Sequence, residues 1–137
     1  MNQHPYIRAY LAGIAVPTLF LLFVMTGYTV LRYVYNFPIP VERVIVFPMA
    51  VVPNLWGLWN IFFVAFRERL HLSIGLTGAL LPLLLGPLGM VVTGLLNFSI
   101  PSFAVHIFPI LAPVALIVYY LAWKYLVGFL NRVLGLA

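Results

Sequence analysis

Charged residues divide the first half of the chain into two long apolar runs. Arg8 and Arg32 enclose the uncharged run 9–31, and Arg43 and Arg67 enclose the run 44–66. A helix needs about 20 apolar residues to cross the roughly 30 Å hydrocarbon core of a bilayer. The pattern therefore predicts one transmembrane helix over about 9–31 and a second over about 44–66.

The second half is uncharged over a length too great for one span. Neither Lys, Arg, Asp nor Glu occurs from Leu72 to Trp123. The segment NFSIPS, residues 97–102, interrupts this run with a turn-like cluster of Asn, Ser and Pro. We therefore predict a third span over about 72–96 and a fourth over about 103–127. The predicted fold is an all-α integral membrane protein with four transmembrane helices in two tandem hairpins, forming one domain over 1–137.

The distribution of basic residues predicts the orientation. Cytoplasmic ends of membrane spans carry an excess of Lys and Arg. If both termini are cytoplasmic, Arg32 and Arg43 are the only basic residues that lie outside. The basic residues that then lie inside are Arg8, Arg67, Arg69, Lys124 and Arg132. We predict an N-in, C-in protein of a bacterial plasma (inner) membrane.

Composition agrees with a membrane environment and excludes several other classes. The chain is 65% hydrophobic and 7% charged, whereas a soluble domain has about 25% charged residues. The formal net charge of +5 comes from single cations at the ends of apolar runs, so it predicts a topology signal and no nucleic-acid partner. The absence of cysteine excludes disulfides and thiolate metal sites. Membrane lipid is the expected partner.

A repeated motif indicates an internal duplication. NFPIPVERVIVFP, residues 36–48, aligns with NFSIPSFAVHIFP, residues 97–109, and seven of thirteen positions agree. We expect Asn36 and Asn97 to close their helices in the left-handed conformation that asparagine tolerates. The motif predicts a parallel repeat with halves over about 9–70 and 71–131, related by an axis along the membrane normal.

Proline and glycine interrupt every predicted span, which frees backbone carbonyls that need partners in lipid. We expect Asn54, beside Pro53, to point into the bundle and bond the carbonyl of Met49 or one near Gly86 and Pro87. Such an amide either satisfies a helix kink or belongs to a midplane site like those of transporters with broken helices. The candidate midplane or packing site comprises Asn54, Asn60, Pro53, Gly86, Pro87 and Thr93.

Ionisable and nucleophilic residues are sparse. No ionisable residue lies in the inner part of a predicted span, which argues against a proton-coupled pump or an antiporter. His4 and His71 are expected inside and His106 outside, so the three histidines predict no metal site. We also predict no cofactor.

A candidate polar cluster lies at the outer face, where Ser102 and His106 are four residues apart and Glu42 is in the other outer loop. Serine, histidine and a carboxylate are the parts of a hydrolytic triad. However, the chain has no nucleophile elbow, and Ser102 is better placed as the N-cap of the fourth helix. We predict no catalytic residue, and a membrane hydrolase is the weakest alternative.

The sequence favours a non-catalytic structural or accessory subunit of a membrane assembly. Short loops leave little outside the bilayer, and the spacings Ala9–Gly13 and Gly75–Ala79 permit close helix contact. Protein partners within the bilayer, or further copies of the chain, are expected. The alternative is a small homo-oligomeric transporter or channel, with a midplane site lined by asparagine and by helices that proline and glycine break.

Overall fold

The computed structural model describes residues 3–38, 42, 45–97 and 102–136, apart from the side chains of 46–48 and 103–105. The regular elements in this part of the chain are all helical, which confirms the all-α class. They are α1 (Pro5–Tyr33), the π-helix π1 (Ile45–Ala50), α2 (Val51–Leu70), α3 (Ile74–Leu95), α4 (Ser102–Leu121), the π-helix π2 (Ala122–Val127) and α5 (Gly128–Val133).

Over the described residues these elements form four long helices, because π1 continues into α2 and α4 continues through π2 into α5. Three of the four are long and apolar enough to cross a membrane: Pro5–Tyr33, Ile74–Leu95 and His106–Val133. The protein is therefore integral to a membrane. α2 is not one of the three, because two asparagines and the charged end 67–69 lower its hydropathy.

Asparagine ends α1 and α3 in the way expected from the repeated motif. Asn36 has φ 55° and Asn97 has φ 52°, so both adopt the left-handed conformation. After α1, the backbone N–H of Phe37 donates to the Leu31 carbonyl at 3.0 Å, a bond that closes a helix C-terminus. These two helix ends are confirmed, whereas residues 39–41, 43–44 and 98–101 of the repeat lie outside the description. The internal repeat stays a prediction.

Different residues begin the same two helices. α1 starts with Pro5, which suits a first turn because its backbone needs no N–H there. α3 starts after Ser73, whose side chain accepts from the N–H of Leu76 at 3.3 Å. This serine cap satisfies one of the backbone donors that every helix leaves unpaired at its N-terminus.

The chain divides into two compact units, one ending at Val64 and the other running from Ala65 to Gly135. In the first unit, α1 and α2 approach through small residues. A Cβ atom at Gly13 would lie 2.8 Å from the Cα of Gly57, and a Cβ at Gly57 would lie 2.5 Å from the Tyr10 ring. The predicted close contact at Ala9–Gly13 is therefore present within this hairpin, where Ala9 is fully buried.

In the second unit, α3 packs against α4 and π2. Two glycines of α3 receive aromatic rings: a Cβ at Gly75 would lie 2.7 Å from the Tyr120 ring, and one at Gly78 would overlap the Trp123 side chain. Trp123 is 0% exposed and is among the largest fully buried side chains of the described chain. Because packing, not the hydrophobic effect, holds helices together in lipid, these glycine contacts are a central part of the core of the unit.

Candidate functional site

Asn60 joins the two helices of the first unit. Its side-chain Nδ2 donates to the backbone carbonyl of Ala9 at 2.7 Å, and Asn60 is 0% exposed. A buried amide is costly unless it is hydrogen-bonded, and this bond crosses from α2 to α1. Asn60 therefore has a packing role at the end of the hairpin that carries the N-terminus.

Replacing Asn60 with leucine is expected to destabilise the first unit by about 0.6 kcal/mol, the average for interhelical hydrogen bonds in membranes, and by at most about 1.7 kcal/mol. The matched variant is Asn54→Leu on the same helix. It removes a bond to the Tyr10 hydroxyl of α1, but the amide is exposed, and leucine is more favourable than an amide on a lipid-facing surface, so this variant is expected to cost less. The measurement is the free energy of unfolding of each variant in detergent. An Asn54→Leu effect as large as that of Asn60→Leu would contradict this role.

Asn54 was expected to point into the bundle, but the structure places it at an exposed edge of the hairpin. Its Nδ2 donates to the Ala50 carbonyl at 2.7 Å, not to Met49, and its Oδ1 accepts from the Tyr10 hydroxyl. The helical rotation of about 100° per residue explains this position. Pro53 and Asn60 lie on the buried stripe of α2, and Asn54 is turned away from it.

The six residues of the predicted midplane site belong to two units. Pro53 is buried beside Asn54 and Asn60 in the first unit, whereas Gly86, Pro87 and Thr93 lie on α3 in the second. The Thr93 hydroxyl donates to the Met90 carbonyl at 2.9 Å. Each of the three polar side chains thus bonds backbone of its own helix or hairpin.

Thr77 and Tyr10 form hydrogen bonds that the sequence analysis did not predict. Thr77 is 2% exposed and its hydroxyl donates to the Ser73 carbonyl at 3.0 Å. Tyr10, the partner of Asn54, follows Arg8 so closely that it resembles an interfacial anchor. Its pairing with a residue 44 positions away has no local signal. Thr77 does have a local signal, since threonine in a helix often bonds the carbonyl of residue i−4.

An apolar groove of about 450 Å³ lies between α3 and α4 in the second unit. Its walls are carbon almost throughout, with Pro82, Gly86 and Met90 on one side and Phe108 and Ala112 on the other. A Cβ at Gly86 would lie 3.9 Å from the Phe108 ring, an ordinary contact. Gly86 and Pro87 of the predicted site therefore line a groove that suits an apolar ligand.

The residues of the predicted outer cluster have separate surroundings. Glu42, in the first unit, accepts hydrogen bonds from Nη1 of Arg32 at 2.8 and 2.7 Å through its two carboxylate oxygens. Ser102 is the first residue of α4, one position later than a cap, and His106 is exposed one turn on. The hydrogen bond from Arg32, followed by one from the Glu42 backbone, lowers the pKa of the Glu42 carboxyl.

The Arg32–Glu42 contact is expected to be lost in acid. Because the folded-state pKa of Glu42 is depressed, its stabilisation is complete above the unfolded pKa and disappears as pH falls through the folded value. Carboxyl ¹³C titration of the Glu68→Gln protein, which retains Glu42 as its one carboxylate side chain, measures this pKa. Arg32→Gln is expected to raise the midpoint, and high salt to raise it partway. An unchanged midpoint in Arg32→Gln would contradict the ion pair.

No protein-family model matches this chain, and no curated protein or solved structure is significantly similar to it.

Proposed function

We propose that the protein is a non-catalytic structural or accessory subunit of a membrane assembly. The observation that carries the proposal is how its polar side chains bond. Asn60 donates to Ala9, Thr77 to Ser73 and Thr93 to Met90, all backbone carbonyls of the same unit. These three side chains are committed to helix packing, so they are not available to bind a polar solute or to perform chemistry.

The outer surfaces of the helices support the same role. Large apolar side chains remain exposed along them, including Phe20 and Phe23 on α1, of which Phe23 is 80% exposed. On α4 and π2 the exposed set continues with Ile110, Ile117 and Leu126. In a bilayer such faces pack against lipid or against other transmembrane helices, so they offer the area that a protein partner needs.

The proposed arrangement has four spans in two tandem hairpins, related by the parallel repeat, in a bacterial inner membrane with both termini cytoplasmic. π1 and α2 together run from Ile45 to Leu70, about 39 Å at 1.5 Å per residue, which is long enough to cross. Single cysteines at Ser102 and Glu68 test the topology. Ser102→Cys is expected to react from outside, and Glu68→Cys only after the membrane is permeabilised.

A small homo-oligomeric transporter or channel is the second candidate. The observation in its favour is the exposed amide of Asn54, which the Tyr10 hydroxyl supports from α1. An exposed polar pair within a helical hairpin is costly in lipid unless another protein surface or water meets it. In an oligomer, this pair would line the interface.

Native purification separates the two proposals. A subunit is expected to co-purify with specific membrane polypeptides, and the purified chain is expected to show no solute flux in liposomes. A monodisperse oligomer that purifies alone would contradict the subunit role. If the chain conducts solute and Asn54→Leu abolishes that flux while the assembly stays intact, transport is the function instead.

A further inference from the structure

The groove between α3 and α4 has walls that lie away from the ends of both helices. On α3 the lining runs from Pro82 to Met90, within the candidate span Ile74–Leu95. On α4 it runs from Phe108 to Leu116, within His106–Val133. The middle of a membrane-spanning helix lies in the hydrocarbon core. The groove therefore opens where acyl chains are the solvent.

The length of the groove limits what can fill it. Each wall covers eight residue steps, so the groove is about 12 Å long at 1.5 Å per residue. One leaflet contributes roughly 15 Å of the hydrocarbon thickness. A partner helix that crosses the bilayer needs packing over several turns at an axis separation of about 8–10 Å. A groove confined to two turns suits a single hydrocarbon chain better than a helix.

The chemistry and the unfilled space of the groove agree with such a ligand. Its carbon lining offers almost nothing to a headgroup or a polar solute, and its volume of about 450 Å³ lies in the range of small-ligand pockets. At Gly86 the nearest atom to an added Cβ would be 3.9 Å away, so this wall accepts one more carbon in ordinary contact and without a clash. Side chains beside an empty space lose dispersion contacts that an inserted chain restores.

We propose that this groove is a binding site for one acyl chain of a membrane phospholipid. The site is distinct from the polar contacts of the first unit and does not depend on the subunit role. A phospholipid held here covers α3 and α4 at mid-span and is retained more strongly than the lipids around the other helices. Its headgroup lies outside the groove, so the site recognises the acyl chain and not the charge of the headgroup.

The test uses the full chain in vesicles of phosphatidylethanolamine and phosphatidylglycerol. A trace of phosphatidylethanolamine with a diazirine within one acyl chain is photoactivated, and the labelled peptides are identified by mass spectrometry. We expect residues 82–90 and 108–116 to be labelled several-fold more than the exposed face of α1 around Phe20 and Phe23. Equal labelling of both regions would overturn the proposal.

Filling the groove gives the second arm of the test. Gly86→Leu is expected to reduce the groove labelling several-fold, whereas Gly94→Leu on the same helix, where nothing lies within 4 Å of an added Cβ, is expected to leave it unchanged. Ala112→Leu fills the opposite wall and serves if Gly86→Leu does not fold. Labelling that persists in both folded groove variants would overturn the proposal.

Further experiments on the same protein distinguish two other occupants of the groove, a second copy of the chain and an isoprenoid. Because the chain has no cysteine, Leu83→Cys and Ala112→Cys can each be tested for a disulfide between copies. Rapid interchain crosslinking at both positions would assign the groove to a second copy. Displacement of the label by trace polyisoprenyl phosphate, but not by an equal amount of unlabelled phospholipid, would assign it to an isoprenoid. Either result would contradict the acyl-chain site.

Discussion

Replacing Gly13 with leucine is expected to separate α1 from α2 and to lower the free energy of unfolding by about 1–3 kcal/mol or more, as overpacking of a close contact does. A Cβ at this position would lie 2.8 Å from the Cα of Gly57. The obstacle is backbone, which cannot rotate aside like a side chain. The helices must therefore move apart, and the bond from Asn60 to the Ala9 carbonyl is strained with them.

Gly27 provides the matched control for this substitution. It lies on the same helix, and nothing lies within 4 Å of a Cβ built there. Gly27→Leu is therefore expected to leave stability unchanged or to raise it slightly, since glycine is a poor helix former. Unfolding in detergent, followed by circular dichroism, compares the two. Equal stability of Gly13→Leu and Gly27→Leu would contradict the close approach of α1 to α2.

Local chemistry explains why so much of the helical framework was predictable. Hydrophobic runs of sufficient length specify helices in lipid, because only internally bonded backbone is tolerated there. The asparagines that close α1 and α3 were predictable from their own conformational preference, and both are left-handed. The close helix contact at Ala9 and Gly13 was predictable because it depends on the small size of these two residues, which the sequence shows directly.

The pairings across helices were not predictable from one sequence. Asn54 and Asn60 look alike as amides in an apolar segment, but one is exposed and the other fully buried. The difference depends on which face of α2 meets α1, and that face is the one where Gly13 and Gly57 come close together. The groove has the same origin, because its two walls come from separate helices that no local pattern aligns.

Trp123 is expected to be the most sensitive single position of the second unit. It is 0% exposed and its ring occupies the space that a side chain at Gly78 would need. Trp123→Ala is expected to cost about 3–5 kcal/mol, the range for removing a buried aromatic side chain. In lipid this cost comes from lost dispersion contacts and a cavity, not from transfer to water.

The pairing of Gly78 with Trp123 also predicts a rescue. Gly78→Leu alone should destabilise the unit because leucine overlaps the indole, whereas in the Trp123→Ala background the same leucine has a cavity to enter. The double variant is therefore expected to be more stable than the sum of the single effects by about 0.5–3 kcal/mol, the usual coupling between residues in contact. Gly94→Leu, an open position on the same helix, should show no coupling with Trp123→Ala. Strictly additive effects of Gly78→Leu and Trp123→Ala would mean that α3 and π2 do not meet at this glycine.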